Sequence, residues 1–329
     1  MAYTTIDNPE LYFQTKLYTG NASTQSITLD GSENMQPDWV WIKNRNATVD
    51  HAIFDSVRGV QKQIKSNTNE EELTRTDALS SFDSDGFSIG ARTSLNGSGN
   101  GIVAWCWKES ADAGFDIVSF TGNGSARTIS HSLSAVPHWM VVKNRDEAEN
   151  WCIYHTSIAN TKALILNTTT AELTDSKFWN DTSATSSVFT VGNGTEVNGS
   201  SDNMIAYLWT AKQGFSKFGS YTGNGNADGA YVHLGFRPAW IVVKRTDSAN
   251  SWMMYDNKKN PINLVNNPLY AEGSDAEGTS SAASFDFLSN GFKCRGTGSA
   301  INASGATMIY MAFAESPFTN SKGVPNNAR

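Results

Sequence analysis

The stretch that decides the fold is Pro37-Asp38-Trp39-Val40-Trp41-Ile42-Lys43, because it occurs three times: again as Pro137-His138-Trp139-Met140-Val141-Val142-Lys143 and as Pro238-Ala239-Trp240-Ile241-Val242-Val243-Lys244. In an extended chain successive side chains point to opposite faces. Trp39, Trp41 and Lys43 therefore share one face, and Val40 and Ile42 the other. Both faces are largely apolar, which predicts a central strand packed against a second layer, with the lysine emerging at its end. Proline lacks the N–H that a central ladder needs and marks the start of the strand.

Working outward, an aromatic-Thr-Gly-Asn step precedes each copy, at Tyr18-Thr19-Gly20-Asn21, Phe120-Thr121-Gly122-Asn123 and Tyr221-Thr222-Gly223-Asn224. A small-residue turn follows each, at Asn96-Gly97-Ser98, Asn198-Gly199-Ser200 and Asn302-Ala303-Ser304. It leads to the apolar runs Val103-Ala104-Trp105, Ile205-Ala206-Tyr207 and Met311-Ala312-Phe313. Three anchors in constant order establish a repeat of about 100 residues. A fourth match follows the lysines, at Ala52-Ile53-Phe54-Asp55, Cys152-Ile153-Tyr154-His155 and Met253-Met254-Tyr255-Asp256. Almost every apolar run is short and bounded by Gly, Asn, Asp, Ser or Pro, which is strand punctuation. Asp85-Gly86 and Asn290-Gly291 are the pair favoured in two-residue hairpins with φ > 0 at both central positions. Glu70–Thr76 and Thr170–Phe178 could each form a helical turn or two, without a sustained helical stripe.

The expected fold is all-β: three tandem antiparallel β-sandwich modules of jelly-roll-like type. The modules span residues 17–112, 113–213 and 214–318, after an N-terminal attachment segment at 1–16 and before a C-terminal tail at 319–329. Pro37, Trp39, Pro137, Trp139, Pro238, Trp240, Gly20, Gly122 and Gly223 read as structural anchors of the repeat. The linkers near Ala111–Gly114 and Lys212–Gly214 are short, so the modules are expected to pack together.

Composition narrows the function classes. A net charge of −7 without a basic stretch argues against nucleic-acid binding. No apolar run approaches a membrane span, and the first residues, MAYTTIDNPE, lack the pattern of a secretory signal. Cys106, Cys152 and Cys294 lie one to each third of the chain and read as small core residues, not as a disulfide framework or zinc site.

The search for chemistry is largely negative. His51, His131, His138, His155 and His233 have no metal-ligand spacing, and His155 occupies the position of Asp55 and Asp256. Asp83-Ser84-Asp85-Gly86 resembles part of a calcium loop, but the remaining ligands do not follow, so a hairpin turn is expected. The chain is read as a non-enzyme, without catalytic residue, metal or cofactor. Candidate surface contacts are of three kinds. Trp179, in Phe178-Trp179-Asn180-Asp181, has no counterpart in the other copies. The strand-end bases Lys43 with Arg45, Lys143 with Arg145, and Lys244 with Arg245 could hold anionic sugar groups or pair with neighbouring acids. Asp55, His155 and Asp256 form a position whose residue changes between copies.

The aromatic-Thr-Gly-Asn-Gly step, the Pro37–Arg45 and Pro137–Arg145 strands, and the ending Ala312-Phe313-Ala314-Glu315-Ser316-Pro317-Phe318 resemble uncharacterised repeat modules of tail, fibre and other virion proteins of marine bacteriophages, notably those infecting cyanobacteria. The third copy departs with Lys244-Arg245-Thr246. The resemblance implies a place in the phage particle, other virion proteins and a homo-oligomer as partners, and contact with a host surface glycan or receptor as an additional role. It carries no site residues. The alternative is a free carbohydrate-binding β-sandwich protein, motivated by the tryptophans and polar loops. A polysaccharide-degrading enzyme is a third reading.

Overall fold

Every apolar run singled out by the repeat forms a strand, and the strand pairings among the described residues are antiparallel. The computed structural model describes residues 2–326. Three principal sheets share one strand order. In the first, Phe13–Thr19, Gly101–Trp107, Trp39–Asn44 and Ala52–Asp55 lie side by side; in the second, Phe115–Thr121, Asn203–Trp209, Trp139–Asn144 and Cys152–His155 do so, followed by Lys162–Ile165 and Leu173–Thr174. In the third, Ser216–Thr222, Thr307–Pro317, Phe236–Arg245, Met253–Asp256 and Leu269–Tyr270 repeat the arrangement. The Trp-containing strand is central in each, as its two apolar faces require.

Smaller sheets form the second layers: Gln25–Thr28, Gly86–Ile89 and Leu79–Asp83; Arg127–Ser130 and Val188–Val191; Tyr231–His233, Gly291–Cys294 and Phe285–Leu288. Val40, Ile42, Ala104 and Cys106 pack beneath the first small sheet with Ile27 and Phe87. Met140, Val142, Cys152 and Ala206 pack beneath the second with Ile129 and Phe189. The fold is thus an all-β sandwich architecture, as the sequence predicts.

The opposite faces of the principal sheets meet one another. Trp39, Trp41, Trp105 and Trp107 of the first sheet join Trp139, Val141, Tyr207 and Trp209 of the second and Trp240, Val242 and Met311 of the third in a single core. Trp39 lies 5.4 Å from Trp209, Trp107 lies 5.4 Å from Trp240, and Trp139 lies 5.9 Å from Trp252 between ring centroids. All three sheet pairs are therefore in aromatic contact. The seams run cyclically: Glu72 N–H donates to Arg145 O, Glu172 N–H to Thr246 O, and Glu277 N–H to Arg45 O, each at 2.8 Å. First touches second, second touches third, and third touches first.

Short turns join the first sheet to the second and the second to the third, closed by the bridges Ser110 to Phe115 and Lys212 to Ser216. Among the described residues no short turn joins the third sheet to the first, and the segments around residues 3–13 and 313–321 close that seam. Phe13 stacks 5.2 Å from Phe313, Tyr3 Oη donates to Gly235 O at 2.7 Å, and Asp7 accepts from Ser321 N–H at 2.6 Å. Residues 2–16 are therefore not a free attachment segment: Phe13, Gln14 and Thr15 pair with Trp107, Cys106 and Trp105. The tail folds back through a bridge between Thr319 and Pro325; its last three residues lie outside the described ones.

Register corrects three local readings. Trp39, Trp139 and Trp240 face Trp107, Trp209 and Phe313, so Met311, not Phe313, stands where Trp105 and Tyr207 stand. Pro238 lies inside its strand at an irregularity in the ladder, not at its start. The hairpins pair Asp83 with Gly86 and Leu288 with Gly291, so the turn residues are Ser84-Asp85 and Ser289-Asn290. Gly86 is needed because φ is +111° and a Cβ would stand 2.0 Å from Ile27 O. Glu70–Thr76 contains a two-residue strand instead of a helical turn, whereas Ser176–Trp179 is one helical turn, capped by Asp175 accepting from Lys177 N–H.

Candidate functional site

The seams gather most of the polar residues that the repeat marks. Lys43, Lys143 and Lys244 do not emerge at the surface; each is fully buried. An ammonium has three donors and no acceptor, and here the acceptors are backbone carbonyls, some from the neighbouring sheet. Lys43 Nζ donates to Asn44 O (2.9 Å) and Ala47 O (3.3 Å) of its own loop and to Ser274 O (3.0 Å) across the seam. Lys143 Nζ reaches Asn69 O (3.2 Å) as well as Glu147 O and Glu149 O, and Lys244 Nζ reaches Thr169 O (3.3 Å) and Arg245 O. Burial lowers all three ammonium groups to about 8.

Arg145 grips Glu72 through Nε (2.9 Å) and a terminal nitrogen (3.0 Å), and Arg45 grips Glu277 at 2.8 Å through both. These are bidentate pairs across seams. Arg245 is not their counterpart: the register places Thr246 there, while Arg245 turns to Asp247 on its own loop.

The position that changes between copies is also a seam position, and Asp55, His155 and Asp256 are fully buried. Asp55 accepts from Tyr207 Oη at 2.6 Å and pairs with Arg58, which also reaches Glu72 at 3.1 Å. Asp256 accepts from Trp105 Nε1 at 3.1 Å and faces Lys259. His155 accepts at Nδ1 from Ser157 N–H (2.9 Å) and lies 3.2 Å through Nε2 from Tyr310 O, so Nε2 carries the proton. Burial pushes its pKa down to about 3 and keeps it neutral. The second-to-third seam thereby lacks the buried carboxylate–base pair and the bidentate arginine, since Ile158 and Thr246 stand in place of the basic residues, and Glu172 pairs with Lys162 instead.

Two further indoles cross seams: Trp151 Nε1 donates to Lys65 O at 2.9 Å and Trp252 Nε1 to Ile165 O at 3.0 Å. Trp179 is 1% exposed, packed in the second sandwich with Nε1 donating to Lys162 O. It is not a surface contact, because the helical turn at Ser176–Trp179 directs it inward. All ten tryptophans are buried.

The glycine anchors answer to close approach. A Cβ at Gly20, Gly122 or Gly223 would stand 2.0 to 2.4 Å from Gly97 O, Gly199 O or Ala303 O. The buried Asn96, Asn198 and Asn302 hold the same loops by accepting from the N–H of Asn21, Asn123 and Asn224 at 2.9 to 3.0 Å. Missed in the sequence were Glu72, Glu172 and Glu277, although Glu72-Leu73-Thr74 and Glu172-Leu173-Thr174 recur at the repeat spacing.

One carboxyl stands apart. Glu109, in the turn joining the first two sheets, accepts from Ile117 N–H at 3.0 Å, and its own N–H donates to Asp38 at 2.8 Å. Burial, with Asp116 and Asp38 adding, raises its pKa to about 7. The described residues hold no group of three or more His, Cys, Asp or Glu placed to bind a metal. The three thiols are buried, and burial raises Cys294 to about 12. Between the sheets an apolar cavity of about 30 Å³ is lined by Trp39, Trp139, Trp209 and Trp240 among others, room for about one water molecule.

Residues 8–317 match the family described as Domain of unknown function (DUF7483). The chain belongs to the DUF7483 family. One uninterrupted match crosses all three sheets, in keeping with a DUF7483 unit whose repeats share a core. No curated protein shows significant similarity to this DUF7483 chain. No helix among its described residues is long and apolar enough to cross a membrane.

Proposed function

We propose that this chain is a non-enzymatic structural protein of the bacteriophage virion, of the tail, fibre or capsid-appended kind. The observation that carries the reading is where the repeated polar residues go. The lysines, the seam glutamates and the loop-holding asparagines hold one part of the chain to another, which is what a scaffold requires and what a catalytic site does not. The resemblance of the repeat to virion modules supplies the location. The exposed loops that differ between copies are the surfaces left for other virion proteins or for a host glycan or receptor.

The free glycan-binding alternative rests on the tryptophans and the polar loops; burial of all ten tryptophans removes them as platforms on which sugar rings stack and leaves that reading only the loops. Self-association is not needed to cover the tryptophan faces, since the three sheets of one chain already cover them. The test is mass spectrometry of purified phage particles, with labelling to place the protein. Its recovery in stoichiometric amount is the expected result; its absence from particles that retain their other structural proteins overturns the proposal.

A further inference from the structure

The third sheet carries one pair of groups that the other two lack. Asp256 closes the strand Met253–Asp256, and the following turn brings Lys259 back over it. Both side chains are fully enclosed, with Nζ 3.5 Å from Oδ2. Trp105 Nε1 donates to Oδ2 at 3.1 Å, and the N–H groups of Lys258 and Lys259 donate to Oδ1 at 3.2 and 2.8 Å. Glu277 Oε2 lies 3.9 Å from Nζ, and the Trp105 ring lies 5.9 Å away. Burial pushes the Lys259 ammonium below the ordinary lysine range.

The corresponding pair in the first sheet is Asp55 with Arg58, and a guanidinium stays protonated and cannot be acylated in this way. In the second sheet the positions are His155 and Ile158. Of these three positions only the third joins an enclosed carboxyl and primary amine, with a mostly buried carboxylate beside them.

We propose that Lys259 and Asp256 condense to an intramolecular isopeptide bond. Glu277 takes one proton from the ammonium, and the freed Nζ lone pair attacks Cγ of Asp256. The developing oxyanion is met by the donors already aimed at the carboxyl oxygens. The nitrogen gives up a second proton, and one C–O bond breaks. The departing oxygen leaves as water with that proton and the one held by Glu277. The products are an amide, one water and the original Glu277 carboxylate, so no oxidant or cofactor is required. In bulk water hydration of the two ions opposes condensation. Burial has already removed that hydration, and the remaining charges, Arg45 and Glu277, still balance. The bond fixes the turn that receives Trp105 across the third seam.

Intact mass measurement of the full chain, followed by tryptic mapping after denaturation, tests this. The expected mass is one water below that of the sequence, with no cleavage after Lys259. Lys259→Arg restores the full mass and keeps an ion pair like that of Asp55 and Arg58. Glu277→Gln leaves the chain folded by circular dichroism but largely unreacted. Full sequence mass with ready cleavage after Lys259 in the wild type overturns the proposal. So does a water loss that persists in Lys259→Arg.

Discussion

Replacing Asp55 by Ala would strand a buried guanidinium, that of Arg58, at the first seam. The carboxylate is fully buried, pairs with an equally buried Arg58, and accepts from Tyr207 Oη and from Arg58 N–H. Its loss leaves the guanidinium, beside the carbonyls of Lys62 and Ile53, only Glu72 as a charged partner, which Arg145 already engages. Removing one partner of a buried pair costs about 3–5 kcal/mol, because the other charge stays desolvated. The second sheet shows how the position is filled without charge. The triple substitution Asp55→His, Arg58→Ile and Tyr207→Met copies His155, Ile158 and Met311, and is expected within about 1–2 kcal/mol of wild type by the same reasoning, since no lone charge remains. Urea unfolding followed by tryptophan fluorescence reads both, because the affected seam contains Trp39 and Trp209. If Asp55→Ala costs under about 1 kcal/mol, or the triple variant costs as much as the single one, the network is not what holds this seam.

Three other outcomes follow from the same geometry. An acid whose folded pKa is raised stabilises the fold while protonated; the contribution of Glu109 is complete below its ordinary 4.5 and lost as pH rises through about 7. The full displacement is worth about 3 kcal/mol, reduced to about 1–2 by partial exposure, so Glu109→Gln should flatten the stability profile between those pH values, and an unchanged slope in urea titrations speaks against it. Arg145→Ala should cost about 1.5–3 kcal/mol through its bidentate partner, whereas Arg245→Ala, paired only with half-exposed Asp247, should change stability by less than about 1 kcal/mol; equal effects would contradict the placement of Thr246 in the seam. Because the segments around residues 7 and 321 are hydrogen-bonded to one another, a circular permutant of residues 2–326 opened in the 110–114 turn and joined between residues 326 and 2 by a flexible linker should fold cooperatively, and aggregation or loss of near-ultraviolet signal would show that the third seam cannot guide assembly.

The repeat, the all-β class and the central position of the Trp strand were legible in the sequence because they rest on period-two patterning and on glycines that a close backbone approach demands. Pro37, Trp39, Gly20 and their counterparts carry that information locally. The arginines pair with acids, as the sequence allows, whereas the lysines and Trp179 are buried instead of exposed. A lysine at a strand end reads as exposed because the carbonyls of its own loop cover it on one side only; the rest of the enclosure comes from afar, through a carbonyl 231 residues away for Lys43 and carbonyls 74 and 75 residues away for Lys143 and Lys244. Trp179 lacks a repeat partner and so looked like a loop contact until one helical turn aimed it inward. The order of residues was enough to fix which faces are apolar and that the Trp strands lie centrally, though not where the third of them begins, since Pro238 lies inside its strand. Only the tertiary structure decided that those faces meet one another in a closed ring, because burial of a charge depends on acceptors that folding brings from distant parts of the chain.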